Sequence, residues 1–158
     1  MRVPRTIDPV WPADQAFHEL AALFDDYRVH YGRPSSPAVT RAWLVDQLTH
    51  RRLTVAAAFD EDRVFGFITI MVMPASLMLG AAWSIRDLFV AEQYRRRGIA
   101  QALVQYAIAE ARAAGATRVS LQTETANAPA LALYAAAGFQ PVTGLELLSL
   151  NLDKLGDP

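Results

Sequence analysis

Between Trp83 and Thr123 the chain passes from a β-prone run to a long helical pattern and back to a β-prone run, and that order constrains the fold more than any other feature. Trp83 to Val90 reads as a strand. From Arg97 or Gly98 to Ala114, residues Ala100, Leu103, Val104, Ala107, Ile108 and Ala111 form a wide apolar face at helical spacing. Gly115 stands where a C-cap glycine belongs, and Arg118 to Thr123 is β-prone again. A strand–helix–strand unit implies a partly parallel sheet covered by helices. All-helical and all-β folds are excluded.

The rest of the chain fits around that unit. Val3 to Ile7 is read as a short first strand. Asp14 opens an amphipathic stretch in which Phe17, Leu20, Ala21, Phe24 and Tyr27 recur at helical spacing. Tyr31 to Pro37 is a loop by its turn residues, and Trp43, Leu44, Gln47 and Leu48 predict a second helix ending near His50. Leu53 to Phe59 and Val64 to Met73 flank a polar turn and read as an antiparallel hairpin. Ala128 to Ala137 is a short helix stopped by Gly138, and Phe139 to Leu152 is read as one or two final strands. No repeat, low-complexity tract or flexible linker interrupts the 158 residues, so a single domain over 1–158 is expected.

Composition narrows the chemistry. The chain has no cysteine, and His18, His30 and His50 lie far apart without metal-ligand spacing, so no metal is expected. A net charge of −1 gives no basic stripe for nucleic acid and no reason to propose an anionic membrane surface. Met1 to Pro12 carries no apolar run of the secretory kind, and Val64 to Met78 is broken by Gly66 and Pro74 and is too short to span a bilayer. A cytoplasmic location is the expectation.

The loop after Val90 carries the first functional signal. It reads Ala91-Glu92-Gln93-Tyr94-Arg95-Arg96-Arg97-Gly98-Ile99-Ala100 and opens the long helix. A helix N-terminus leaves N–H groups unpaired and carries roughly half a positive charge, which suits an anion. Three arginines there cost stability unless an anion docks among them. A glycine lets a phosphate approach the backbone closely. A solvated basic loop would explain the arginines alone, but not the strand before them and the apolar helix after them.

Arg95-x-x-Gly98-x-Ala100 resembles the Q/R-x-x-G-x-G/A signature of the GNAT N-acetyltransferases. The resemblance implies a GNAT-like α/β (α+β) fold: a mixed, mostly antiparallel central sheet of six to seven strands flanked by about four helices. It implies acetyl-CoA as acetyl donor, its pyrophosphate held by the backbone of Arg95, Arg96, Arg97, Gly98, Ile99 and Ala100. It also implies that Leu88, Phe89 and Val90 pair with the pantetheine arm. A second segment, Asn127-Ala128-Pro129-Ala130-Leu131-Ala132-Leu133-Tyr134-Ala135-Ala136-Ala137-Gly138-Phe139, is similar to the family's N-x-x-A-x-x-L-Y-x-x-x-G-F hallmark. By resemblance, Asn127 and Ala130 belong to the pantetheine site and the Tyr134 hydroxyl lies near the thioester sulfur. A phenol with an ordinary pKa of about 10 is protonated at neutral pH and can donate to the departing thiolate. Simple core packing of the Tyr134 ring is the competing explanation.

The remaining expectations are less specific. Asp87 and Glu124 are candidates for the base that deprotonates the acceptor amine, and a structural ion pair or plain solvent exposure explains either one as well. Arg86 stands where some relatives that acetylate polyamines and amino sugars carry glutamate, which points away from a polycationic acceptor. Tyr27 to Tyr31 falls where the family places acceptor contacts, and packed aromatics explain that segment equally. The reading is an acetyl-CoA-dependent transfer to a primary amine of a small molecule, or a peptide. Its rivals are a non-catalytic acyl-CoA-binding module and a toxin-type enzyme acting on aminoacyl-tRNA, the latter at odds with the charge. A homodimer is compatible with the resemblance, since such folds often pair through C-terminal strands.

Overall fold

The computed structural model describes residues 6–61 and 63–152. In chain order the elements are β1 (Thr6–Pro9), α1 (Phe17–His30), α2 (Pro37–Thr49), β2 (Thr54–Asp60), β3 (Arg63–Ala75), β4 (Gly80–Val90), α3 (Ile99–Ala113), β5 (Arg118–Leu121) and α4 (Ala128–Ala136). The strands form one sheet in the order β1-β2-β3-β4-β5. Every pairing is antiparallel except β4 with β5, the pair that α3 connects. A parallel pair needs a long crossover, and the Gly98-to-Gly115 segment supplies it.

Helices cover both faces of the sheet. On one side α1 and α2 bury Phe17, Leu20, Phe24, Leu44 and Leu48 against Val55, Ala57 and Phe67. On the other, α3 buries Ile99, Leu103, Val104 and Ala107 against Ala56, Ala58, Ile68 and Ile70. Neighbouring strand residues thus point to opposite cores, and a strand covered twice loses its apolar–polar alternation. This is why Val55 through Ala58 are all buried. Leu103 has no exposed surface, so Leu103→Ala would cost about 2–5 kcal/mol and loosen the helix that carries the basic loop.

Local chemistry sets the element ends. Asp14 does not start α1; its carboxylate accepts the Trp11 N–H at 2.7 Å and shapes the turn before Phe17. The connection from α1 to α2 is fixed by Asp25. Its carboxylate accepts the Ser35 hydroxyl at 2.6 Å, the Thr40 hydroxyl at 2.6 Å, the Ser36 N–H at 3.1 Å and Arg28 at 3.0 Å. Those donors, Ser35 and Thr40 foremost, hold its pKa down at about 2.

Two expectations are corrected. Phe139 to Leu152 forms no strand, so among the described residues the sheet has five strands and not six to seven. The leucines of that segment are 74–86% exposed, and an apolar alternation makes a strand only when a neighbour accepts its backbone. The first strand begins at Thr6, and the Val3 to Arg5 part of the expectation lies outside the described residues. Among the described residues no helix is long and apolar enough to cross a membrane.

Candidate active site

The site is a gap in the sheet. β4 and β5 pair from Ala82 opposite Arg118 to Ile85 opposite Leu121, and there the pairing ends, while β4 continues to Val90 beside β3. The break follows a β-bulge. Thr69 of β3 pairs with Asp87 and Ile70 with Ile85, which leaves Arg86 as an extra residue on β4. A bulge bends and twists its strand, and here it marks where β4 parts from β5.

Beyond the bulge, strand geometry decides which backbone groups face the gap. The Ala91 N–H donates to the Phe65 carbonyl at 2.9 Å, so Ala91, Phe89 and Asp87 direct their backbone toward β3. Leu88 and Val90 therefore direct theirs into the gap. The Val90 carbonyl accepts from Arg95 Nε at 3.0 Å, which ties the basic loop to the strand. The N–H and C=O of Leu88 and the N–H of Val90 offer a strand edge that a chain of amides could pair with. Phe89 differs from its two neighbours. Its ring faces α1, 5.6 Å from both Tyr27 and His30, with the Arg95 guanidinium 5.4 Å above it. Gly66 permits this packing, because a Cβ there would stand 2.8 Å from the Phe89 carbonyl oxygen.

The basic loop closes one end of the gap. Arg95, Arg96, Arg97 and Gly98 are exposed, whereas Ile99 is buried and anchors the first turn of α3. Gly98 is the N-cap at φ +77, a left-handed conformation that favours glycine, and a Cβ there would meet no protein atom within 4 Å. No side chain caps α3 and no acid lies in its first turn. Its leading N–H groups, three arginines and open space above Gly98 fit a pyrophosphate.

Helix α4 packs Leu133 and Tyr134 against the core that also holds Ile85, Val90 and Ile99. Asn127 caps it, accepting the Ala130 N–H on its side-chain oxygen at 3.3 Å. Tyr134 lies half-buried with its ring edge-on to Phe139 at 5.9 Å. Burial, with a smaller contribution from Tyr31, pushes its hydroxyl above the ordinary tyrosine value, so it stays protonated through the neutral range.

Beside the bulge, Tyr27, Thr69 and Asp87 meet in a cluster that no local pattern connects. The Tyr27 hydroxyl donates to Asp87 Oδ1 at 2.6 Å, and the fully buried Thr69 hydroxyl donates to Asp87 Oδ2. Burial and the Asp87 carboxylate push the Tyr27 hydroxyl far above its usual range, so it is a fixed donor. Asp87 is thus held by two hydroxyls beside the bulge. Arg86 is exposed and near enough to oppose the upward shift at Tyr27. Glu124 is exposed in the turn before α4, where its backbone carbonyl accepts the Asn127 N–H at 3.0 Å. On the α1 side a groove of about 620 Å³ reaches Phe89, lined also by Glu19, Asp26, His30, Glu92 and Arg95.

The model of the Acetyltransferase (GNAT) family matches residues 17–139, which span α1 through the Gly138-Phe139 end of the α4 segment. The chain belongs to the GNAT acetyltransferases. An uncharacterised N-acetyltransferase of Bacillus subtilis, YhfO, is 29% identical over 84% of this chain and 89% of its own length. A probable acetyltransferase of Haemophilus influenzae is 33% identical over 56% of this chain and 61% of its own length. The crystal structure of a probable acetyltransferase superposes with a TM-score of 0.86 at 30% identity, covering 93% of this chain and 97% of that one.

Within this GNAT fold the first hallmark forms the loop that leads into α3 and the second forms α4. Thr69 carried no sequence signal, since it sits in an apolar run. Tyr27 carried one as an amphipathic-helix residue, but nothing local tied it to Asp87.

Proposed function

We propose that the chain transfers an acetyl group from acetyl-CoA to a primary amine, within a single domain, by direct attack of the amine on the thioester. The observation that carries this reading is the gap itself: an unpaired β4 edge that ends at an uncapped, arginine-rich helix N-terminus. The pantetheine amides would pair with Leu88 and Val90, and the pyrophosphate would rest on the N–H groups from Arg97 to Ala100. Bound acetyl-CoA supplies an activated acyl carbon. Asn127 and Ala130 form the turn of α4 beside the pantetheine, and the Tyr134 hydroxyl gives its proton to the leaving thiolate.

The amine would enter from the α1 side, where Tyr27, Tyr31 and the groove ending at Phe89 lie. Asp87 acts as a strut for the bulge, since its two oxygens already accept from Tyr27 and Thr69. The acceptor's proton then leaves through water. Arg86, exposed at the bulge, favours an acceptor with an anionic group over a polyamine, because a guanidinium repels polycations and grips carboxylates or phosphates. A cytoplasmic location accords with the absence of cysteine and with this cosubstrate.

The test is an acceptor screen with acetyl-CoA read by thiol release, alongside a thermal melt. At 100 times its dissociation constant acetyl-CoA should stabilise the fold by about 2.7 kcal/mol. A melt unmoved by saturating acetyl-CoA would overturn the reading. A shifted melt with no thiol release for any amine would favour a non-catalytic acyl-CoA-binding module.

A further inference from the structure

Strand β4 changes sides in the middle. Ile85 and Asp87 stand two positions apart, and in an unbroken strand such residues share a face. Here they do not. Ile85 is buried under α3 with Ile68 and Ile70, whereas the Asp87 carboxylate meets Tyr27 of α1. Arg86, the extra residue of the bulge, inverts the alternation. Beyond it Asp87 and Phe89 face α1, and Leu88 packs toward α3. The apolar pattern does not choose between the two phases. Leu88, Phe89 and Val90 are all apolar and the sheet is covered on both faces, so either phase would bury apolar side chains.

The phase decides what the open edge offers. Without the extra residue, the pairing of Ile70 with Ile85 would continue as Thr69 with Arg86, Ile68 with Asp87 and Phe67 with Leu88. Leu88 would then turn its backbone to β3, and Phe89 would turn its own into the gap. The Asp87 carboxylate would stand opposite Ile68, which is fully buried in the core with Ile70, Leu103 and Val104. A charge without a partner is costly there. In the bulged phase the same carboxylate stands opposite Thr69, whose fully buried hydroxyl donates to Oδ2. The Tyr27 hydroxyl donates to Oδ1 at 2.6 Å. The rings of Phe24, Phe67 and Phe89, at 5.4–5.7 Å, hold the Tyr27 ring in place for it.

We propose that Thr69 and Tyr27 are positioning residues for the acetyl transfer: acting through Asp87, they lock β4 in its bulged phase and so decide that Leu88 and Val90 present their backbones to the acetyl donor. The use of that edge rests on the acetyl-CoA function proposed for this site; the phase lock does not. One hydroxyl comes from β3 and the other from α1, so the lock also fixes α1 against the strand that the donor would pair with. Neither residue touches the donor. Each acts through the carboxylate, and the carboxylate acts through the direction of the backbone that follows it.

Residue-resolved amide hydrogen exchange and calorimetric titration with coenzyme A test this. In the wild type without ligand, the Phe89 and Ala91 amides should be protected by β3 and the Leu88 amide should exchange fast. In Tyr27→Phe/Thr69→Val, Phe89 should lose protection and Leu88 should gain it. Coenzyme A affinity should fall about tenfold or more, as expected for the loss of two hydrogen bonds to a charged group. Thr69→Ser keeps the hydroxyl and should keep both wild-type exchange and wild-type affinity. If the double variant does not fold, Tyr27→Phe should show the same changes at smaller amplitude. Unchanged exchange at Phe89 and Leu88 in a folded variant, double or single, would overturn the lock. Altered exchange with unchanged affinity would overturn the positioning role. A wild type that binds no coenzyme A would overturn the acetyl-CoA function and not the lock, which the exchange measurement decides alone.

Discussion

Asp87→Asn separates a strut from a base, because asparagine keeps the shape of the side chain and loses its charge. In the wild type the Asp87 oxygens accept from Tyr27 and Thr69. In the variant the amide oxygen still accepts from the Tyr27 hydroxyl, and the amide NH₂ can donate to a Thr69 hydroxyl that has rotated. What disappears is the charge assistance on two hydrogen bonds. Bonds to a charged group contribute about 1.5–3 kcal/mol and neutral ones about 0.5–1.5, so the difference is about 1 kcal/mol each. Removing a half-buried charge returns part of that through relieved desolvation, which leaves about 2 kcal/mol as a ceiling. For a chain of this length that is a drop of about 4–8 °C in Tm at most. If Asp87 only holds the bulge, kcat should fall by less than about tenfold, since a base is worth about 10²- to 10⁴-fold. The assay is thiol release at saturating acetyl-CoA with the acceptor found by screening, run across pH beside a thermal melt. A fall in kcat of a hundredfold or more, with Tm unchanged and the acidic limb of the pH profile abolished, would show that Asp87 takes the proton.

Three further outcomes are expected. Gly98→Val should cost about 1–2 kcal/mol of stability from its left-handed φ of +77, and should weaken coenzyme A binding in a calorimetric titration; since no protein atom lies within 4 Å of the new Cβ, unchanged affinity would remove the phosphate from that loop. Tyr134→Phe should lower kcat by about 10²- to 10⁴-fold with little change in acetyl-CoA affinity, whereas wild-type turnover where chemistry is limiting would return the ring to a packing role. Asp25 has a folded pKa of about 2 against an ordinary 3.8, so its stabilisation is complete above pH 3.8 and is lost as pH falls toward 2; denaturant titrations should show the stability gap between wild type and Asp25→Asn closing over that window, and a gap independent of pH would refute the network's role.

Much of the architecture was legible because it is written in local patterns. The α3 helix announced itself through one apolar face and its flanking glycines, and the β2–β3 hairpin through two β-prone runs around a polar turn. The two hallmarks were legible as contiguous motifs. The Tyr27–Asp87–Thr69 cluster was not, because its members come from α1, β4 and β3 and meet only through pairing across the sheet. Asp87 looked like a free carboxylate for the same reason: the hydroxyls that occupy it are 60 and 18 residues away.

The sequence by itself determined the order of elements from β1 to α4 and the family, since each depends on residues close together in the chain. Tertiary structure alone decided that β4 parts from β5 after Ile85, that Leu88 and Val90 and not Phe89 turn their backbones into the gap, and that Phe139 to Leu152 forms no strand among the described residues. The physical reason is that a strand is a relation between two segments: its alternation can be read from one, but its register, its bulges and the existence of its partner belong to both.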